Sequence, residues 1–576
     1  MPYDAAVPPA ATGPSPPPHR STAPAPVVRG EGQWGFGHRE PLNDNEQIKK
    51  DDDALNVRAR IETVYARRGF AAIDPDDLRG RFRWWGLYTQ RRPGIDGGRT
   101  AVLQPHELDD EYFMLRIRVD GGQLDLDQLR TIADVSTRYA RDTADLTDRQ
   151  NVQLHWIRVE DMPAIWRALE SVGLSTTEAC GDCPRVILGS PVAGISADET
   201  VDATPAVREI VRRYVGDPAL SNLPRKFKSV ISWLPDVPYE TNDIAFLGAN
   251  HPRLGPGFDL RVGGGLSTNP MLARRLGVWV PLDRVPDVWA GIAYLFRDYG
   301  YRRLRSRARL KFLVADWGTE RFREVLEKEY LGEPLADGPA PPLPDEPLLH
   351  IGAHRQRDGR CYVGVAPVVG RVSGTRLREL AAVMREHGSG RVRLTPYQKL
   401  LVLDVAPERV ESLISALRQI ELEARPSSWR RDTMSCTGIE YCKLAIVETK
   451  GLAASLVTEL EKRLTGLPAE LTVNVNGCPN ACARTQVADI GLKGQLMRDG
   501  DGRMVDGFQV HLGGGLALAA GQTAGFGRKV RGLKVTAADL PDFVETLARR
   551  YVAGRSGERE TFAQWVARAD DKELTT

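Results

Sequence analysis

Two copies of one sequence pattern lie in this chain, and that duplication limits the possible folds more than any other feature. The stretch LTDRQNVQL at 146–154 recurs as LTPYQKLLV at 394–402, an offset of 248. The stretch GFDLRVGGGL at 257–266 recurs as GFQVHLGGGL at 507–516, an offset of 250. Both matches keep their order on either side of a Pro-rich stretch, so the pattern predicts two similar halves with pseudo-twofold symmetry.

Each half begins with the pattern of a small α+β unit. In the first half, residues 113–119 alternate apolar and charged side chains, as a half-buried strand does. Residues 126–140 have helical spacing, and a second strand (152–157) and helix (162–172) follow. Strand–helix–strand–helix in about 60 residues predicts a ferredoxin-like unit. We therefore predict an α+β fold with two ferredoxin-like units, each followed by a larger α/β unit.

Composition sets the expected boundaries. Residues 1–30 contain nine Pro and six Ala, which predicts a disordered tail, and the polar stretch 31–53 predicts an extended arm. The Pro-rich stretch predicts a linker between the halves. The expected units are 54–172 (first ferredoxin-like), 173–335 (first α/β), 336–347 (linker), 348–425 (second ferredoxin-like), 426–565 (second α/β) and 566–576 (tail).

Charge and cysteine content exclude several protein classes. Lys and Arg number 78 and Asp and Glu 76, so the chain is not a polycation that neutralises nucleic acid. It has no apolar run of 18 residues and no visible secretory signal, which argues against a membrane span or export. Seven Cys are too few for a disulfide scaffold, so we expect a cytoplasmic protein whose clustered Cys serve metal or redox chemistry.

Four cysteines in the second half carry the strongest chemical signal. Cys436 and Cys442 form C-x5-C, and Cys478 and Cys482 form C-x3-C. Thiolates from two short loops suit an iron–sulfur cluster. Zinc is the alternative, but structural zinc sites usually use C-x2–4-C pairs, and C-x5-C fits them poorly. Cys183 and Cys361 have no partner at metal spacing and are predicted to be structural.

A second signal is cationic. Lys226 and Lys228 are two residues apart in LPRKFKS at 223–229, and period 2 in a strand directs both ammonium groups to one face. The matching stretch of the other half, LPAELT at 467–472, has no such pair, which favours an anion site over a solvated face. In the run 302–311, Arg or Lys occupies every second position from Arg303 to Lys311. That alternation indicates either a solvated face or a row of cations directed at a polycarboxylate ligand.

Together these motifs resemble the sirohaem-dependent sulfite and nitrite reductases. The similarity rests on C-x5-C with C-P-N-A-C, the T-x-R-Q-x-x-Q turn, the R-K-F-K stretch and the repeated G-F-x4-G-G-G-L. It covers roughly residues 55–565 and is greatest to the ferredoxin-dependent sulfite reductases of actinobacteria. It implies six-electron reduction of sulfite to sulfide at sirohaem coupled to a 4Fe–4S cluster, with ferredoxin as the acidic electron donor.

The resemblance also implies roles for individual residues. The cluster ligands are the four cysteines above, and Cys482 also binds the sirohaem iron. The other roles are anion binding by Arg116, Arg185, Lys226 and Lys228; contacts to sirohaem by Thr147, Arg149 and Gln153; contacts to its carboxylates by Arg309 and Lys311; and a thioether bond beside the active site between Tyr88 and Cys180.

Several alternatives remain open at this stage. The substrate could be nitrite, reduced to ammonia, although the nitrite reductases of the family typically have Asn where this chain has Lys228. A metal-bearing binding module without catalysis is a reading from a different class. The donor could be an NADPH flavoprotein, since the chain itself lacks a G-x-G-x-x-G fingerprint. We expect a monomer that binds neither nucleic acid nor membrane.

Overall fold

Each half of the chain forms one small antiparallel sheet and one larger mixed sheet. The structure is a computed structural model that describes residues 42–575. The first half contains strands β1 Leu87–Arg91, β2 Asp109–Ile117, β3 Gln123–Asp125, β4 Thr143–Leu146, β5 Val152–Ile157, β6 Ser229–Ser232, β7 Ile244–His251, β8 Gly255–Val262, β9 Arg274–Val280 and β10 Ala336–Asp337. The second half contains β11 Gly352–Arg355, β12 Cys361–Val365, β13 Arg371–Ser373, β14 Arg391–Leu394, β15 Leu400–Val405, β16 Thr433–Ser435, β17 Val473–Asn476, β18 Ile490–Arg498, β19 Met504–Leu512 and β20 Lys534–Thr536.

Helices cover these sheets. Those of the first half are α1 Asp44–Asp51, α2 Val57–Arg60, α3 Ala66–Arg68, α4 Pro75–Arg79, α5 Leu126–Tyr139, α6 Met162–Glu170, α7 Thr204–Tyr214, α8 Val285–Tyr299 and α9 Leu310–Val325. Those of the second half are α10 Gly374–Glu386, α11 Val410–Gln419, α12 Ser428–Asp432, α13 Lys450–Arg463, α14 Leu540–Gly554, α15 Phe562–Arg568 and α16 Asp571–Thr575. The strands and helices expected near 113–119, 126–140, 152–157 and 162–172 are therefore confirmed.

The two ferredoxin-like units exchange an edge strand. The first small sheet has the order β1-β2-β5-β4-β13, and the second has the order β11-β12-β15-β14-β3. Thus β13 of the second half pairs with β4, and β3 of the first half pairs with β14. Helices α5 and α10 pack against each other, and one apolar core includes residues of both units. The duplication is confirmed, but these two units form a single body.

The larger sheets keep the symmetry of the duplication. Their orders are β10-β9-β8-β7-β6 and β16-β17-β18-β19-β20. In the first, β6 and β7 are parallel, as are β17 and β18 in the second. The Gln150 side chain hydrogen-bonds the backbone N–H and C=O of Gly189, and Gln398 makes the same two contacts with Ser435. Both halves therefore dock their small sheet on their larger unit in the same way.

Two expectations about polar segments are wrong for the residues described. The expected extended arm at 31–53 is helical at α1, where Lys49 donates to the Leu223 carbonyl and Glu46 pairs with the buried Arg302. The cation run 302–311 forms a 3₁₀ turn at Arg305–Arg307 and then enters α9, so its alternation does not produce one row of side chains. Local ion pairs and helix formation prevail over the sequence pattern in both places. Residues 1–41, which include the expected tail, lie outside the described part.

None of the helices in residues 42–575 is both long enough and apolar enough to cross a bilayer.

Candidate active site

Several of the predicted site residues line one deep internal space. The side chains of Tyr88, Arg149, Lys226, Lys228 and Cys436 keep some accessible surface although they lie far inside the molecule. Side chains this deep keep accessible surface only where they border a space that no protein atoms fill. Cys482 acts electrostatically on Lys226, which places the group of cysteines near the lysine pair.

Two loops at the ends of β16 and β17 bring the four thiols together. The Cys436 N–H donates to the Val475 carbonyl at 3.0 Å, and the Gly477 N–H lies 3.2 Å from Cys436 Sγ. Gly438 has φ 72°, and a Cβ there would lie 2.3 Å from Thr449 Oγ1, so only Gly fits between the thiols at this turn. Burial, and then the neighbouring Cys482, raise the pKa of Cys436 to about 12 and also raise that of Cys478. Crowded thiols of this kind are suited to a cationic metal group that stabilises their ionised form.

The arrangement of the thiols fits a cluster better than a single ion. Within residues 42–575, no group of three or more His, Cys, Asp or Glu side chains converges closely enough to hold one metal ion. Around zinc, every sulfur lies about 2.3 Å from the same centre. A 4Fe–4S cluster takes one thiolate at each of four separate irons, and its ligands therefore stand farther apart. The four cysteines fit the cluster, and zinc is disfavoured.

The lysine pair supplies positive charge without a protein counter-ion. β6 begins at Ser229, one residue after Lys228, so the pair precedes the strand instead of lying within it. Neither ammonium group makes a hydrogen bond or ion pair with the described residues. Burial, and then Arg309, lower the pKa of Lys226 to about 7, while burial, and then Arg149, hold the pKa of Lys228 far below its usual value. Unpaired buried cations are costly, so the space is suited to anions.

Matching backbone contacts identify which residues of the second half correspond to Lys226 and Lys228. Asp243 precedes β7 and accepts a hydrogen bond from the Lys228 N–H, and Asp489 precedes β18 and accepts one from the Thr472 N–H, both at 2.9 Å. Thr472 is therefore the counterpart of Lys228, and two residues earlier Glu470 is the counterpart of Lys226. The second half therefore has Glu470 and Thr472 in place of the two lysines and no cation pair, as the sequence comparison predicts.

The predicted arginines connect the anion side to the cluster loops. Arg116 lies 3.0 Å from Cys180 Sγ and donates to Gln153 Oε1 at 3.0 Å. Gln153 Nε2 in turn donates to Thr437 Oγ1, next to a cluster cysteine. Arg185 donates to the Ala179 carbonyl. Cys180, Arg185 and Arg116 all act electrostatically on the Tyr88 phenol. The structure thus brings Tyr88, Cys180, Arg116 and Arg185 together.

The turn 147–153 is built around the Thr147 hydroxyl. This oxygen accepts from the N–H groups of Arg149 and Asn151. Arg149 donates to Asn242 Oδ1 at 2.8 Å and to the Val186 carbonyl at 2.7 Å, and it still reaches the deep space. The turn is therefore a rigid wall of that space.

Arg309 and Lys311 differ from Lys226 and Lys228 because protein groups already engage them. Arg309 forms a two-point ion pair with Asp243, the residue that anchors the Lys228 backbone. Lys311 donates to the carbonyls of Gly265, Leu266 and Asn269. These side chains shape the Lys228 segment and the Gly-rich turn, and their contacts to sirohaem carboxylates stay a prediction.

Sequence reasoning missed Arg118, which holds the segment that carries Cys180 and Arg185. Its guanidinium pairs with Asp120 at 2.7 and 3.0 Å and donates to the carbonyls of Glu178, Pro184 and Arg185 at 3.1–3.4 Å. Arg118 follows Arg116 by two residues. The same stretch of chain therefore supplies Arg116, a cation of the site, and Arg118, which holds the segment that carries Arg185. The sequence around Arg118 gives no signal of this role, because Arg116 and Arg118 alternate with apolar residues as in any half-buried strand.

Two family models each match the chain twice. The nitrite/sulfite reductase ferredoxin-like half domain matches residues 105–172 and 354–420. The nitrite and sulphite reductase 4Fe-4S domain matches residues 180–335 and 428–574. The second model includes both the cationic segment of the first half and the four grouped cysteines of the second.

Individual proteins are similar over almost the whole chain. The sulfite reductase [ferredoxin] of Mycobacterium tuberculosis is 58% identical over 558 residues, which cover 96% of this chain and 100% of that protein. The assimilatory ferredoxin-dependent nitrite reductase of Haloferax mediterranei is 35% identical and covers 90% of this chain and 91% of its own length. The solved structure of Mycobacterium tuberculosis NirA protein superposes with a TM-score of 0.91 at 58% identity, covering 95% of this chain and 100% of that one.

Proposed function

We propose that this chain, which belongs to the nitrite and sulfite reductase family, is an assimilatory sulfite reductase that takes its electrons from ferredoxin. The observation that carries the proposal is the deep space that has unpaired Lys226 and Lys228 on one side and four grouped cysteines on the other. The higher identity to proteins named sulfite reductase than to those named nitrite reductase supports sulfite as the main substrate.

The residues fit the two cofactors of the family. Cys436, Cys442, Cys478 and Cys482 would hold a 4Fe–4S cluster, with Cys482 shared with the iron of sirohaem. The Arg149 guanidinium and the Thr147 turn line the space that a polycarboxylate macrocycle would need. When bound, the cluster and sirohaem supply the one-electron chemistry, and the protein supplies binding, orientation and electrostatics.

The chain's own cations would bind and activate the substrate. The reaction consumes six electrons and eight protons to convert the sulfite dianion into hydrogen sulfide and three waters. Arg116 and Arg185 orient the anion, and positive charge at its oxygens stabilises their departure as water. Lys226, with a pKa of about 7, changes protonation near neutral pH and is suited to donate protons to those oxygens.

Electrons must reach the cluster from another protein. The chain has no G-x-G-x-x-G segment in a βαβ setting, and its repeated Gly-Gly-Gly turns at 263–265 and 513–515 do not have that form. A ferredoxin is the expected donor because the similar proteins carry it in their names.

We also propose that Tyr88 and Cys180 become joined by a thioether bond. Both residues lie beside Arg116 and Arg185, and burial, followed by Cys180, raises the pKa of the Tyr88 phenol. Formation of the bond removes two hydrogens, one from each residue, and requires a two-electron oxidant. Peptide mass analysis should therefore find the two peptides linked at two hydrogens below their summed mass. Quantitative recovery of unlinked peptides would refute the bond.

Purified protein tests the main proposal. A dye-reduced preparation should reduce sulfite with a higher kcat/KM than nitrite and should contain about five iron and four acid-labile sulfide per chain. Cys482→Ser should disturb both cofactor spectra, because that thiolate would serve both groups. An unchanged sirohaem spectrum with full activity in this variant would exclude the shared ligand, and absence of haem-like absorption from the purified wild type would exclude the enzyme proposal.

A further inference from the structure

A second cavity lies between the two halves, apart from the deep space. It has a volume of about 460 Å³, within the range of small-molecule sites. Its walls come from β3, β14 and the start of α7, and none of the predicted cofactor or anion residues lines it.

Arg393 gives this cavity a buried positive charge. The residue is 4% exposed, and it makes one hydrogen bond within the described residues, from Nη1 to the Ala193 carbonyl at 3.3 Å. No carboxylate of that part of the chain lies within ion-pair distance of it. Asp202, Asp404 and Glu199 act on it only from farther away, and burial lowers the pKa of Arg393 to about 10. A guanidinium in this setting lacks most of the partners that it requires.

A symmetric cavity lies elsewhere between the halves, and there the equivalent position is neutralised. That cavity has a volume of about 740 Å³. Leu146 and Leu394 occupy equivalent places in the repeat, so Asp145 is the counterpart of Arg393, and Arg371 of β13 is the counterpart of Gln123. Asp145 has Arg371 at 3.2 Å and Lys450 at 3.6 Å. One cavity therefore contains an internal ion pair, and the other keeps a cation that has no ion-pair partner among the described residues.

Arg208 adds positive charge to the first cavity. The start of α7 also lies at the wall, but Asp202 Oδ1 accepts from the Thr204 N–H at 2.9 Å and Pro205 has no N–H, so this helix end contributes little. Arg208, one turn into α7, lies at the cavity, and among the described residues it donates to Gln123 Oε1 at 3.3 Å. The two acids of the wall are committed elsewhere, because Asp120 pairs with Arg118 and Asp125 caps α5. The other arginines of the wall are paired, Arg391 with Asp404 and Arg212 with Glu209.

We propose that this cavity is a binding site for a small organic anion, whose carboxylate or phosphate group pairs with Arg393, with Arg208 on the same wall. The planar guanidinium presents two parallel N–H groups that match two oxygens of either group. The remaining volume accommodates the rest of a small metabolite. The site is independent of the proposed redox function, since it shares no residue with the deep space.

Thermal unfolding of the holoenzyme tests this site with inorganic phosphate, succinate and potassium chloride at matched ionic strength. Phosphate or succinate should raise Tm more than chloride, and the more effective anion identifies the chemistry that the site prefers. Since the deep space also binds anions, the decisive quantity is the part of the shift that Arg393→Gln removes. We expect that variant to bind the effective anion about tenfold more weakly or worse, the loss typical of a charged hydrogen bond.

Two further variants complete the test. Arg212→Gln removes one charge from the same wall but leaves Glu209 paired with Arg213, so it should retain the wild-type response. Arg208→Glu changes an exposed residue and should weaken binding even if Arg393→Gln fails to fold. No response beyond that of chloride, an equal response in Arg393→Gln, or an unchanged response in Arg208→Glu would each overturn the proposal.

Discussion

Single residues decide how much charge the deep space presents to a substrate. Within residues 42–575, Lys226 and Lys228 have no counter-ion, and burial lowers the pKa of each, with a further contribution from Arg309 or Arg149. An incoming anion stabilises the ammonium forms, so its binding should raise both pKa values and be accompanied by proton uptake. The same two residues therefore couple anion binding to proton supply.

Replacement of Lys228 should alter the preference between anions. Sulfite exists in part as a dianion near neutral pH whereas nitrite is only a monoanion, so loss of one cation should weaken the interaction with sulfite more. We expect Lys228→Asn to reduce the kcat/KM ratio of sulfite to nitrite by about 5- to 30-fold, or about 1–2 kcal/mol, with unchanged cofactor spectra. Equal losses for both anions would show that Lys228 only maintains the site.

Glu178 is a second residue with a measurable electrostatic effect. It is fully buried, accepts from the Gly216 N–H, and has a pKa raised to about 8 by burial. The folded protein therefore keeps this proton up to about pH 8, whereas the unfolded chain releases it near the usual value for Glu. Stability should consequently fall as pH rises between those two values.

Glu178→Gln removes this titration and keeps an oxygen that accepts from Gly216. The variant should gain stability relative to the wild type as pH rises from about 5 to 8, by on the order of a few kcal/mol at most. Denaturant unfolding at several pH values measures the difference. Parallel pH profiles for the two proteins would mean that Glu178 is ionised in the folded state.

At the scale of elements, the segment 178–187 is irregular and depends on Arg118 for its position. Arg118 donates to three carbonyls of that segment, and its partner Asp120 accepts from the Ile187 N–H at 2.9 Å. Arg118 is a positioning residue, because it acts on the substrate site through the backbone that carries Cys180 and Arg185.

Arg118→Lys keeps the charge opposite Asp120 but loses the planar set of donors. We expect sulfite kcat/KM to fall about tenfold or more, with less Tyr88–Cys180 crosslink, because the two residues would no longer be held in register. Arg130→Lys, on the exposed face of α5, is the matched control and should change neither quantity. A normal crosslink yield in Arg118→Lys would remove this positioning role.

At the scale of the whole molecule, the halves depend on each other. Each small sheet contains an edge strand from the opposite half, and one apolar core spans both ferredoxin-like units. A half expressed alone would expose an unpaired strand edge and part of that core.

Separate expression of the two halves tests this dependence. Residues 42–340 and 341–575 should each aggregate when produced alone, but should copurify as a soluble pair when produced together. Size-exclusion chromatography of both preparations measures the outcome. A soluble, monomeric single half with cooperative unfolding would show that the exchanged strands are dispensable.

The sequence by itself determined the duplication, the α+β class and the family resemblance, and it supplied the candidate residues of the site. Such features are local or periodic: a C-x5-C spacing, the repeated Gly-Gly-Gly turn and the Lys226–Lys228 pair are visible within a few residues. The confirmed helices and strands of the first ferredoxin-like unit follow the same logic, since their periodicity reflects one buried face.

Only the tertiary structure decided which charges remain free. Arg309, Lys311 and Arg393 look alike in the sequence, but Asp243 neutralises the first, three carbonyls bind the second, and the third has a single carbonyl partner. The exchange of β3 and β13 was equally invisible, because a three-residue strand has no periodicity to reveal its partner. Pairing and neutralisation depend on residues hundreds of positions apart, and their geometry exists only in the folded chain.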